Sequence, residues 1–214
     1  MPQRRATQSG AQRRLAAARR KERARRRRVQ ALFGGAGLVV VAVILVVVIV
    51  VLGWHKTSKV LPVRPMAQGA AVDGIACQLT EQAVYHIHQH LAIFVNGTQR
   101  TVPAGVGIPG GTPVQGSVAS GKCLYWLHTH DTTGIFHVES PTRKNYKLGQ
   151  FFDIWGWPLT TSQVGHATGK VTTYVNGKQF SGDPRSITLT PHEVIQLDVG
   201  QVVPPKPYQF APGL

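Results

Sequence analysis

Between Tyr85 and Val95 the chain reads Tyr-His-Ile-His-Gln-His-Leu-Ala-Ile-Phe-Val. Apolar residues fall at Tyr85, Ile87, Leu91, Ile93 and Val95, with Gln89 as the one polar break. A period of two is that of a β-strand, whose successive side chains point to opposite faces. His86, His88 and His90 therefore share the other face, at intervals of roughly 7 Å. Three imidazoles in a row on one face constrain what else can pack there.

A second histidine segment runs from Cys123 to Glu139. Leu124 to Leu127 form an apolar strand ending in His128-Thr129-His130, Asp131-Thr132-Thr133-Gly134 supply a turn, and Ile135-Phe136-His137-Val138-Glu139 return. The first of these strands, apolar on both faces, is expected to be central in its sheet. A two- or four-residue connection at Thr132-Thr133 pairs His128 with His137, His130 with Ile135 and Trp126 with Glu139. Directly opposed residues share a face, with Cβ atoms ~4.5–5.5 Å apart. If the strand 84–95 pairs antiparallel with 123–130, six histidines meet near one rim of the sheet.

Imidazole suits zinc, copper, nickel and non-haem iron. The candidate ligand set is three or four of His86, His88, His90, His128, His130 and His137. Asp131 and Glu139 are candidates for a carboxylate ligand or for an acceptor that orients an imidazole. Sulfur ligands, which favour Cu(I), are scarce: the methionines are Met1 and Met66. A zinc or copper ion, the latter as Cu(II), is the expected cofactor. The bland alternative is a solvated strand face whose histidines are satisfied by water.

The charge of the chain is uneven. Residues 1–30 hold twelve Lys and Arg against the single acid Glu22, whereas His55 onward holds twelve against eight. Nucleic-acid binding is a natural thought for so basic a tail, but no aromatic residues are interleaved with the charges. Instead the tail leads into Ala31–Trp54, which contains no charged residue. About twenty such residues suffice to cross a ~30 Å hydrocarbon core. The basic side is expected to stay cytoplasmic, against anionic lipid. The expected organisation is a basic cytoplasmic tail (1–30), a transmembrane helix (31–54), a Pro- and Gly-containing stalk (55–76), an extracytoplasmic β-rich domain (77–203) and a Pro-rich tail (204–214).

The two cysteines, Cys77 and Cys123, are expected to form a disulfide in an oxidising compartment. Asn96-Gly97 and Asn176-Gly177 are hairpin turns, Leu148–Trp155 has helical spacing, and strands are expected at Lys170–Val175, Lys178–Phe180, Ile187–Leu189 and Val194–Val199. Residues 104–121 read as a long loop. These elements predict a mainly β, α+β fold: a compact antiparallel sandwich or partly closed barrel with one helix, preceded by a single transmembrane helix.

HIHQHLAIFVNG (86–97), CLYWLHTHDTTGIFHVESP (123–141) and KLGQFFDIWG (147–156) carry a resemblance. The segment resembles a group of membrane-anchored or secreted prokaryotic proteins with HxHxH and HTHD motifs. That resemblance implies an extracytoplasmic location and no particular activity. The residues themselves support three readings: a metal-binding domain, a metalloenzyme (hydrolase or oxidase) with Glu139 or Asp131 as base, or an interaction module with pH-responsive histidines. No Gly-rich phosphate loop, GxSxG elbow or HExxH helix is present.

Overall fold

The computed structural model describes residues 19–27 and 60–214. The expected transmembrane helix at 31–54 and His55 lie outside the described residues. Among the described residues no helix is long and apolar enough to cross a membrane. Residues 19–27 are helical and exposed, with Arg26 paired to Glu22 one turn away at 3.4 Å.

The compact unit Ser58–Leu214 is mainly β. Its strands are β1 (Cys77–Gln78), β2 (Tyr85–Val95), β3 (Thr98–Arg100), β4 (Leu124–Tyr125), β5 (Leu127–His128), β6 (Ile135–Ser140), β7 (Leu159–Thr160), β8 (Gln163–Val164), β9 (Ala167–Thr168), β10 (Val171–Val175), β11 (Lys178–Phe180) and β12 (Glu193–Val199). The principal sheet has the order β11-β10-β12-β2-β6-β5, with β3 also paired to β2. β1-β4 and β7-β8-β9 form two further small sheets.

An antiparallel sandwich or barrel is not what forms. The principal sheet is open and mixed, because β12 pairs parallel to β2, from Glu193 opposite Gln89 to Val199 opposite Val95. Alternation along a strand fixes which face is apolar but is indifferent to the direction of its neighbour, so the pattern could not reveal this pairing.

Both Asn-Gly turns form as expected. Asn96 and Gly97, and likewise Asn176 and Gly177, have positive φ. Asn and Gly tolerate that geometry, and it matches the twist of a tight hairpin. Leu148–Trp155 is the expected helix, here α1, ending where Gly156 adopts the left-handed conformation. Its stripe of Leu148, Phe151, Phe152 and Trp155 is buried. It packs on the apolar face of the sheet, with the Phe136 and Phe151 rings 4.6 Å apart. Ile87, Leu91 and Ile93 of β2, Val138 of β6, Leu127 of β5 and Ile195 and Leu197 of β12 complete that core.

Ile187–Leu189, expected as a strand, makes only an isolated bridge, Lys147 to Thr188, after a short 3-10 turn at Pro184–Ser186. Residues 60–76 belong to the compact unit: the Arg64 amide donates to Gly156 O, the Ala67 amide to Ile154 O, and Ile75 is buried.

The strand expected to be central is instead at an edge. β5 ends the sheet, and β6 separates it from β2. Its burial comes from the long loop. The Tyr125 amide donates to Gly107 O, the Thr129 amide to Val106 O, the Gly105 amide to Thr129 O, and the Val118 amide to His130 O. An edge strand covered in this way can be apolar on both faces. Gly107, at φ +77°, leaves no room for a side chain; a Cβ there would sit 2.4 Å from Leu127 O and 3.0 Å from His128 Cβ.

Candidate metal centre

The second face of the sheet carries the histidines. Two registers align them: β5 on β6 sets His128 opposite His137, and β2 on β6 sets His88 opposite His137 and His86 opposite Glu139. The hairpin register expected from the Thr132-Thr133 turn is thus the one that forms. The pairing of the histidine strand with 123–130 does not form, because β6 intervenes and carries the shared residues. The consequence is favourable for a site, since His137 and Glu139 lie between contributions from both neighbours.

Ligand-capable atoms converge in two groups, each with all its atoms within 4.8 Å of one another: His128, His130, His137 and Glu139, and His86, His88 and His137. His86 Nε2, His137 Nδ1 and Glu139 Oε1 form a triangle with edges of 3.4, 3.2 and 3.0 Å. On the other side, His128 Nε2 lies 3.2 Å from His130 Nε2 and 3.8 Å from Glu139 Oε2. Four ligands at 2.0–2.1 Å around a tetrahedral ion stand about 3.3–3.4 Å from one another. Several of these separations already match that edge.

The proton inventory sharpens the chemistry. His128 Nδ1 lies 2.7 Å from Tyr125 O, and His130 Nδ1 lies 2.8 Å from Val118 O. A carbonyl oxygen only accepts, so each Nδ1 carries its proton, and in the neutral rings each Nε2 is a bare lone pair. Such backbone acceptors behind an imidazole are the usual way a protein fixes a ligand's tautomer and aim. Glu139 is buried, and its Oε2 has no hydrogen-bond partner. A buried carboxylate oxygen left unpaired is costly. A cation among the lone pairs would satisfy it, so these residues fit a metal ion.

Burial drives the His128 pKa down to about 3, with the neighbouring His130 and His137 adding to the shift and Glu139 opposing it. His88 falls to about 4, again mainly by burial, then by His137 and His86. His128 is therefore neutral across the ordinary pH range, and its proximity to Glu139 is not a salt bridge. Burial alone would raise Glu139; the His137 hydrogen bond and the electrostatic influence of the surrounding imidazoles outweigh it and leave the carboxyl below its usual range.

Not every candidate joins the cluster. His90 lies on the same face but one register step further, opposite Ile135, and stacks on Tyr208 with ring centroids 3.7 Å apart. Asp131 turns away: its Oδ1 accepts from the Thr133 amide and hydroxyl, closing the turn. His192 is a turn residue at φ +57°, stacked on Phe210, and His166 lies edge-on to Trp157. Glu81 was not legible in the sequence as a site residue, yet its Oε1 is 3.4 Å from His130 Nε2. The Cys77–Cys123 disulfide forms as expected and ties the segment bearing Glu81 to the start of the second histidine segment.

A cleft of about 750 Å³ lies elsewhere, lined by Leu61, Arg64, Phe152, Asp153, Trp157 and Arg185. Its charged pair is satisfied, Arg185 donating to both Asp153 oxygens at 3.0 and 2.6 Å. Compared with known proteins, the chain matches no family model, no curated protein and no solved structure.

Proposed function

We propose that this is a single-pass membrane protein whose Ser58–Leu214 unit faces away from the cytoplasm and binds a transition-metal ion through the cross-strand histidine cluster. The observation that carries the reading is the pair of lone-pair nitrogens of His128 and His130 beside the unpartnered oxygen of buried Glu139. The basic tail followed by an uncharged apolar run supports the topology, as does a disulfide in the folded unit.

The donors are nitrogen and oxygen. Both cysteines are tied up in the disulfide, and Met66 Sδ accepts from the Gly107 amide. That set favours zinc or Cu(II) over Cu(I). His88 and His128 hold no proton until far more acidic conditions, so neither supplies a switch near pH 6. Elemental analysis of the full chain, purified in detergent without a histidine tag and dialysed against zinc or Cu(II), tests the reading. Bound metal that is lost in His128→Ala/His137→Ala supports it. Metal-free protein after exposure to micromolar zinc and Cu(II) overturns it.

A further inference from the structure

The two groups of donors point in different directions along one carboxylate. Glu139 Oε1 lies 3.0 Å from His86 Nε2 and 3.2 Å from His137 Nδ1, while Oε2, buried and without a hydrogen bond, has His128 Nε2 as its neighbour at 3.8 Å. On the Oε1 side His88 stands against both partners, its ring 4.5 Å from that of His86 and 4.6 Å from that of His137. On the Oε2 side His130 joins His128, and Glu81 approaches His130 from the exposed rim.

We propose that the cluster holds two metal ions bridged by the Glu139 carboxylate; this rests on the metal-binding reading above. The first ion takes His86 Nε2, His137 Nδ1 and Glu139 Oε1, with His88 as the flanking imidazole. The second takes His128 Nε2, His130 Nε2 and Glu139 Oε2, with Glu81 as the carboxylate on its solvent side.

The reason is a count of donors. A four-coordinate ion uses four ligands, whereas five histidines and Glu139 converge here. With one ion bound, either the His128 and His130 lone pairs or the His86–His137–Glu139 triangle would be left without a cation. Two ions answer both groups, and a carboxylate is the natural ligand to sit between them because it has two oxygens with separate lone pairs. Paired-ion sites place their metals about 3.5–4 Å apart, a span that one carboxylate can bridge. The ligand class is two divalent first-row ions, zinc or Cu(II). His86 is the exposed member of the first group, and His130 with Glu81 forms the exposed side of the second, so each ion has a side open to solvent.

The test is stoichiometry with a magnetic readout, on the full tag-free chain in detergent. Wild type should retain two equivalents of zinc or Cu(II) after gel filtration. The fully loaded Cu(II) form should show a spin-coupled electron paramagnetic resonance spectrum with a half-field transition. His86→Ala/His88→Ala and His128→Ala/His130→Ala should each retain one equivalent, with circular dichroism matching wild type. Glu139→Gln should bind its second ion at least about tenfold more weakly and give uncoupled copper signals. If a histidine variant fails to fold, the wild-type count and coupling decide. One equivalent in the wild type overturns the two-ion centre while leaving the metal-binding reading intact. No metal in the wild type overturns both. Two equivalents without coupling overturn the Glu139 bridge.

Discussion

His128 Nε2 and His130 Nε2 face each other at 3.2 Å while both rings spend their Nδ1 protons on backbone carbonyls. His128, neutral with its proton on Nδ1, has none to place between the two Nε2 atoms. Nitrogen-detected NMR of the metal-free protein should find His128 as the Nδ1–H tautomer, with the Nε2 resonance moving on addition of zinc. An Nε2–H tautomer at His128 would contradict the arrangement.

The acid stability of the metal-free protein has a definite sign. His88 and His128 titrate at about 4 and about 3 in the folded chain, below the value of ~6.5 they regain on unfolding. The unfolded state therefore binds more protons in this window. Their contribution is fully present above pH ~6.5 and is lost as pH falls through the folded values. Glu139, also depressed, adds to the loss at lower pH. Glu193 and Asp198 act oppositely, since burial raises both, so stability from their neutral forms is present in acid and lost as pH rises. The urea midpoint should fall between about pH 7 and pH 4, and a His88→Phe variant should flatten the fall.

His90 should be dispensable for metal. It is held against Tyr208 and stands outside both donor groups. His90→Phe keeps the stacking surface, so bound metal per chain should equal wild type by elemental analysis. Loss of an equivalent would place His90 among the ligands.

Gly107→Ala should damage the site from outside it. The added Cβ would press on Leu127 O and His128 Cβ, and a positive φ adds strain for a side chain. A loss of about 1–3 kcal/mol in chemical denaturation is expected, with metal affinity falling as His128 is displaced.

Removing the disulfide as Cys77→Ser/Cys123→Ser should cost about 4 kcal/mol of stability in the chain-entropy view, since 46 residues separate the two. Metal bound per chain by protein still folded should be unchanged, because neither sulfur is a donor.

What the sequence revealed about this site was local. The His128–His137 register followed from a short turn whose residues allow few geometries. The common face of His86, His88 and His90 followed from pleating alone. The position of β6 between β2 and β5 is a long-range choice that alternation does not encode, and with it went the expectation of a central 123–130 strand. His90 could not be separated from its neighbours by parity, because the contact that removes it comes from Tyr208, on a tail more than a hundred residues away. Glu81 lies outside any strand, where no periodicity marks which way a side chain points.

The parallel pairing of β12 with β2 also sets an order on biosynthesis. Every donor, from Glu81 to Glu139, is made before β12, whose first residue, Glu193, follows Glu139 by 54 positions. The strand that completes the sheet beside the histidines is therefore the last to emerge. Nascent chains halted after Ser140 would carry all the donors with one flank of β2 still bare.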